Sequence, residues 1–225
     1  MALILHGTVV SPFVRKVRVF CLEKGIALET SELTPAEHGA QLRAMSPLGQ
    51  IPILEESGRF LPDSSVICLY LERLHPRPPL LPEEPCDHGR ALFLDEWADT
   101  AAPEAFHPAL VERLIAPRLL GREPDEARVT RAREGAAPAL LDWLERQVDG
   151  PGALAGGRFG LADCALGAQL QSFALAGEAI DPNRWPRVRA YSDAILARPS
   201  FRAMEEALAH RGWRRAGPPP RPPRP

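Results

Sequence analysis

The chain of 225 residues carries a formal charge of −2 and is 45% hydrophobic and 25% charged, the composition of a folded globular protein of one large or two small domains. So balanced a charge argues against a bulk electrostatic partner such as duplex DNA or an anionic membrane surface, and leaves a small ligand or a protein partner. No segment reaches the roughly 18 apolar residues of a spanning helix, and Met1-Ala-Leu-Ile-Leu-His6 lacks an export signal's basic region and long apolar core, so a cytoplasmic protein is expected.

In chain order, Ala2 to His6 predicts a short apolar strand. Ser11 to Lys24 predicts a helix with Phe13, Val17 and Phe20 on one face, stopped by Gly25. Ala27 to Glu32 reads as a second strand, followed by a segment without clear period. Ile51-Pro-Ile-Leu-Glu55 and Arg59-Phe-Leu61, joined by Glu56-Ser-Gly58, predict a hairpin; Ser64 to Leu74 places Val66, Ile67, Tyr70, Leu71 and Leu74 at helical spacing. The order βαβ, loose segment, ββα over residues 1–76 predicts an α/β unit whose mixed four-stranded sheet is covered by helices.

His75-Pro-Arg-Pro-Pro-Leu-Leu-Pro-Glu-Glu-Pro85 forbids helix interior and sheet pairing, and predicts a connector over residues 77–86. Beyond it, over residues 87–210, only helical patterns recur: Arg90 to Ala102, Val129 to Val148, the almost wholly apolar Leu161 to Leu175, Trp185 to Leu196 and Ser200 to His210. A helix as apolar as the third belongs at the centre of a bundle. Residues 211–225 end in Gly217-Pro-Pro-Pro-Arg-Pro-Pro-Arg-Pro225 and are expected to form a disordered proline-rich tail, solvated or docked on a proline-binding module. Cys21, Cys68, Cys86 and Cys164 show no CxxC spacing, so neither a zinc ribbon nor a dithiol motif is available and free thiols are expected. Of the 27 basic residues only Lys16 and Lys24 are lysine.

The loop His6 to Ser11 delivers a strand into a helix that begins Ser11-Pro-Phe-Val-Arg15. Serine at the cap and proline at the first helical position are start signals, yet no acid follows to close a capping box. Ser11 either caps the helix or leaves its hydroxyl beside an open helix start, where Arg15, Lys16 and Arg18 one turn on favour an anion such as a thiolate. Pro52 in Gln50-Ile51-Pro52 opens a strand and leaves the preceding backbone to pair with something extended. Asp63-Ser64-Ser65 is a second polar helix start, either an ordinary cap or a cradle for an α-amino acid head group, with the amine on Asp63 and the carboxylate on Ser64.

Five stretches in register resemble the soluble glutathione S-transferases, in the serine-type bacterial-like form: Ser11-Pro-Phe-Val-Arg-Lys-Val-Arg18, Glu23-Lys-Gly-Ile26, Ser46-Pro-Leu-Gly-Gln-Ile-Pro52, Asp63-Ser-Ser-Val-Ile67 with Tyr70-Leu-Glu72, and Gly157-Arg-Phe-Gly-Leu-Ala-Asp163. The resemblance covers about residues 3 to 205. It implies a thioredoxin-like N-terminal domain that holds glutathione and an all-α bundle that supplies most of the electrophile pocket. Carried over by position, it implies that Ser11 donates a hydrogen bond to the glutathione thiolate and that Ile51, before a cis Pro52, pairs with the cysteinyl unit. Asp63 and Ser64 would then hold the γ-glutamyl end, with Gln50 and His38 near the glycyl end.

Phe13, Phe106 and His107 are the candidates for the electrophile pocket, each alternatively a core residue. Thr8 is a substitute donor to the thiolate, and no catalytic tyrosine is available near the N-terminus. The resemblance further implies a detoxifying transferase that works as a homodimer on a small hydrophobic electrophile. Glutathione would be its co-substrate, with no permanent cofactor, metal, nucleic acid or membrane partner. Two other classes stay open: a non-catalytic glutathione-binding or regulatory protein of this fold, and a glutathione-dependent lyase, dehalogenase or isomerase. Gly160 stands where relatives usually place a serine or threonine cap, with Asp163 still able to reach back to its N–H.

Overall fold

The computed structural model describes residues 2–217. Its N-terminal part is a mixed four-stranded sheet. Strand β1 (Leu3–His6) runs parallel to β2 (Glu29–Ser31) and antiparallel to β3 (Ile53–Glu56), which turns into β4 (Arg59–Pro62). Ser57 (φ 52°) and Gly58 (φ 74°) make the hairpin turn, both residues left-handed as the right-handed twist of the two strands requires. Helix α1 (Pro12–Lys24) buries Val14, Val17, Phe20 and Cys21, and ends at Gly25, whose φ of 67° closes the last turn. Helix α3 (Ser64–Leu74) buries Ile67, Cys68 and Leu71.

The segment expected to be loose holds a helix, α2 (Pro35–Met45). Its hydrophobic pattern is faint because Leu42 is its one buried residue, and its start is held by polar chemistry instead. Thr34 Oγ1 accepts from Glu37 N at 3.3 Å and donates to Glu37 Oε2 at 2.9 Å, with Pro35 in the first turn. Thr34-Pro-Ala-Glu37 is a capping signature written in the sequence.

The remaining helices form the bundle. They are α4 (Pro85–Leu110), a π-helical turn (Val111–Ile115), α5 (Ala116–Leu119), α6 (Glu126–Glu134), α7 (Ala136–Gln147), α8 (Leu161–Leu175), α9 (Pro186–Leu196) and α10 (Pro199–His210). Helix α4 runs past the expected end at Ala102 and through Pro103 and Pro108. Each proline removes a donor from the ladder; three residues past the second the helix widens to the π turn, where Ala116 N donates to Val111 O just before Pro117. The single helix expected over 129–148 is two, divided at Gly135, where φ −107° and ψ −82° leave the helical region. Residues 211–217, expected to belong to the tail, pack against the bundle. Trp213 is 5% exposed and stacks under the Arg118 guanidinium, and Ala216 N donates to Leu175 O at 2.8 Å. Residues 218–225 lie outside the described residues.

Helix α8 is buried along almost its whole length and packs against both α4 and α1, so the two domains share its surface as a common core. Asp163 in its first turn accepts from Gly160 N (2.9 Å), Leu154 N (3.0 Å) and Tyr191 Oη (2.7 Å). Burial pushes its carboxyl up to about 6 despite these donors. Glycine stands at 160 because a Cβ there would lie 2.6 Å from Leu80 O, the carbonyl to which Leu161 N donates at 2.8 Å. The connector is thereby seated on the start of the core helix.

Candidate functional site

Two cavities meet at Phe13, Gln50 and Ile51. The first, about 460 Å³, is lined about equally by apolar side chains and by polar groups from the segment before β3, the start of α3 and α4, among them Asp63, Ser64, Ser65, Glu96 and Asp99. The second, about 360 Å³, has hydrocarbon walls broken by Thr8, Ser11, Thr34, Gln50 and His107.

Ser11 is the N-cap residue of α1 by position, with extended backbone (φ −69°, ψ 124°), but its side chain makes no capping hydrogen bond. The hydroxyl therefore borders the apolar cavity at an uncapped helix start, where unpaired N–H groups and the helix dipole favour negative charge. Beneath this loop lies Arg15, fully buried. Its guanidinium donates to Val9 O (2.9 Å), Val10 O (2.8 Å), Ala168 O (3.0 Å) and Ser172 Oγ. Among the described residues no carboxylate pairs with it, and burial together with Arg18 pulls its pKa down to about 9. It stays charged at neutral pH, and ties the Ser11 loop to the core helix of the other domain.

The start of α3 is organised differently. Asp63, strained at φ 78°, accepts from Ser65 N (2.9 Å) and Val66 N (3.0 Å) and so caps its own helix. Ser64 Oγ donates to Asp99 Oδ2 at 3.1 Å. Lys16 Nζ reaches Ser65 Oγ (2.8 Å), Asp99 Oδ2 (2.8 Å) and Asp95 Oδ1 (2.6 Å) from inside the core. Burial works against the ammonium, but Asp99 and Asp95 outweigh it and raise the Lys16 pKa; burial raises that of Asp95 in spite of Lys16. Asp99 Oδ1 remains buried without a partner among the described residues. The peptide before Pro52 is cis, and β3 enters the ladder only at Ile53, leaving Ile51 outside the sheet at the junction of the cavities.

The structure thus brings together Ser11, Thr8, Phe13, Gln50, Ile51, Pro52, Asp63, Ser64 and His107. It leaves out two expected residues. Phe106 is fully buried against Phe173 (centroids 4.6 Å apart) and lines neither cavity, because one residue along a helix rotates the side chain by about 100° away from His107. His38 lines neither cavity either: the first turn of α2 folds its Nδ1 back to accept from Thr34 N at 3.2 Å. His107 packs edge-on against Phe13 and shares a 3.0 Å hydrogen bond with Gln169 Oε1. Burial lowers its pKa, opposed by Gln169 and reinforced by Arg15, so the imidazole is neutral at pH 7.

Residue-level reasoning missed Lys16, Asp95 and Asp99 as a unit. The visible signal was Asp95 and Asp99, one turn apart on a single helix face, with a lysine elsewhere for them to meet. It also missed Val111, Ile115, Leu119 and Leu120 in the apolar wall.

Comparison with known proteins agrees with this architecture. Residues 5–79 match the family model of the glutathione S-transferase N-terminal domain and residues 125–194 that of the C-terminal domain. Glutathione S-transferase 3 of Zea mays is 33% identical over 91% of this chain and 93% of its own. A glutathione S-transferase structure from Rhodospirillum rubrum superposes with a TM-score of 0.80 at 28% identity, covering 90% of this chain and 91% of that one. One from Methylobacterium radiotolerans, in complex with glutathione sulfonate, has a TM-score of 0.73 at 28% identity and covers 91% and 94%. The chain belongs to the glutathione S-transferase family. Among the described residues no helix is long and apolar enough to cross a membrane, and no group of three or more His, Cys, Asp or Glu could hold a metal ion.

Proposed function

We propose that the protein is a serine-type glutathione transferase that binds glutathione across the polar cavity, holds its sulfur as thiolate at Ser11, and adds it to a small uncharged electrophile in the apolar cavity. The observation that carries this reading is the Ser11 hydroxyl, which closes no cap and borders hydrocarbon walls while sharing Phe13, Gln50 and Ile51 with a polar cavity. In this reading Ile51 pairs with the cysteinyl backbone, Asp63 and Ser64 face the γ-glutamyl end and Gln50 the glycyl end. Phe13 and His107 flank the electrophile. Among the described residues no charged side chain lines the apolar cavity, which favours a neutral partner.

The magnitudes are sufficient. A free thiol titrates near 8.5, so a thiol mostly ionised at pH 7 needs a shift of about two units, roughly 3 kcal/mol. A hydrogen bond to a charged group contributes about 1.5–3 kcal/mol and a helix N-terminus about 0.3–1 kcal/mol. With an aryl halide the thiol proton leaves to solvent, the sulfur bonds to the ring carbon and the halide departs with the electron pair of the broken bond. Ultraviolet titration of bound glutathione in Ser11→Ala is the test: the thiol pKa should rise while affinity is kept. An unchanged pKa would assign the hydroxyl no part in ionising the thiol. Retention on immobilised glutathione without turnover of any aryl halide would favour a binding protein of this fold.

A homodimer in the cytoplasm fits the same reading. Exposed Phe60, Val66, Leu69 and Phe93 offer apolar surface for a second copy, and all four cysteines are free thiols. Sedimentation equilibrium would decide the oligomeric state.

A further inference from the structure

Part of the apolar cavity wall comes from the end of α4, the π turn and α5, through Val111, Ile115, Leu119 and Leu120. In a π turn the ladder runs i to i+5, so the residues after it are rotated from where an α-helix would put them. Something must hold that register, and it lies away from the cavity. Glu112, 1% exposed, accepts from Arg122 Nη1 (2.5 Å) and Nη2 (3.0 Å), from Arg128 Nη1 (2.7 Å) and from Asp125 N (3.1 Å). These donors draw its carboxyl down to about 2, Arg122 contributing most. Next to it Arg113 donates to both oxygens of Glu126 (2.9 and 2.8 Å), to Glu178 Oε1 (2.8 Å) and to Ala176 O (2.9 Å).

Between α5 and Asp125 the chain leaves the helix through Gly121 (φ 62°) and carries Leu120, 49% exposed, on the cavity rim. Arg122 draws this segment back twice, by its guanidinium on Glu112 and by its backbone N on Ala116 O (3.2 Å). A buried carboxylate is costly to desolvate, and a hydrocarbon of the same volume would serve stability as well. A carboxylate saturated by donors from the segment after α5 and from the first turn of α6 does what hydrocarbon cannot, which is to fix that segment in a single place.

We propose that Glu112, acting through Arg122, latches the rim that carries Leu119 and Leu120, and so limits the bulk of the electrophile the cavity admits. This rests on the reading of the apolar cavity as the electrophile site. Glu112 is then a positioning residue for substrate selectivity and takes no part in binding glutathione.

The test compares Glu112→Gln, Arg122→Gln and Leu120→Ala with the unmodified protein. Arg122 is 44% exposed in its side chain, so its replacement keeps the fold even where Glu112→Gln does not. Three quantities are read: kcat/KM for a one-ring and a two-ring aryl halide, KM for glutathione, and, without glutathione, the affinity of a neutral naphthalene fluorophore. The two-ring to one-ring ratio should rise about tenfold in all three variants, the low end of the scale on which a pocket's hydrocarbon walls discriminate, and the fluorophore should bind more tightly by up to the same factor. The glutathione KM should stay within about twofold. A folded Arg122→Gln protein with unchanged ratio and unchanged fluorophore affinity would overturn the latch. If the unmodified protein turns over neither halide yet the fluorophore affinity shifts in Arg122→Gln, the latch is supported and the catalytic reading fails.

Discussion

At the start of α1 the Ser11 hydroxyl closes no backbone bond, and the buried charge one turn on, Arg15, meets only carbonyls and a hydroxyl. At the start of α3 Asp63 caps its own helix, and Ser64 and Ser65 are tied through Asp99 to the buried Lys16. Both starts begin with a short polar motif and open onto a cavity. The difference is that the second, Asp99 Oδ1 apart, has its partners among the described residues, while the first lacks the negative charge its surroundings favour. A helix start that the protein has satisfied is a frame. One left unsatisfied beside a cavity is where a ligand's anion belongs.

The sharpest test of this contrast is Lys16→Met, which leaves Asp95 and Asp99 facing each other in the core. It should lower the unfolding free energy by roughly 3–5 kcal/mol, read by denaturant titration; a loss under about 1 kcal/mol would mean that the α3 start is not anchored this way. Ser11→Ala should hardly move that curve, yet reduce kcat/KM for an aryl halide about 100-fold, as loss of one donor to a developing or stabilised anion does. If instead it destabilises the fold by as much as a lost cap, the two starts are alike after all. Asp63→Ala should cost about 1 kcal/mol of stability and raise the glutathione KM, measured side by side.

The smallest effect comes from a third helix start, that of α8, where the cap is the buried Asp163. Its folded pKa, about 6, lies above the ordinary 3.8, so the native state holds this proton better than the unfolded chain does. Its contribution is greatest below the ordinary value, declines as pH rises toward 6 and is flat above. Between pH 5 and 7 the unfolding free energy should fall by about 1 kcal/mol on this account, and the fall should vanish in Asp163→Asn.

Elements whose apolar residues repeat at their own period were legible beforehand: β1, α1, the β3–β4 hairpin, α3 and the apolar α8. Helix α2 was missed because a single buried leucine leaves no stripe, although Thr34-Pro-Ala-Glu37 held the needed signal. Most of the residues that line the two cavities and were singled out beforehand lay in motifs at helix and strand starts, where a residue's type reports directly on the backbone it serves. Phe106 and His38, both expected at the site, line neither cavity for a common reason: helix rotation or a local hydrogen bond turns each side chain elsewhere.

The sequence by itself determined two domains, the mixed sheet, the apolar centre of the bundle and the polar motifs at Ser11, Gln50-Ile51-Pro52 and Asp63-Ser64, because periodicity, capping and proline act over a few neighbouring residues. Only the tertiary structure decided that Ser11 leaves its helix uncapped while Asp63 closes its own. It also decided that Lys16 meets Asp95 and Asp99, and that Glu112 gathers Arg122 and Arg128 behind a π turn. These pairings join residues far apart in the chain or set on different elements, and burial makes each depend on its exact partners.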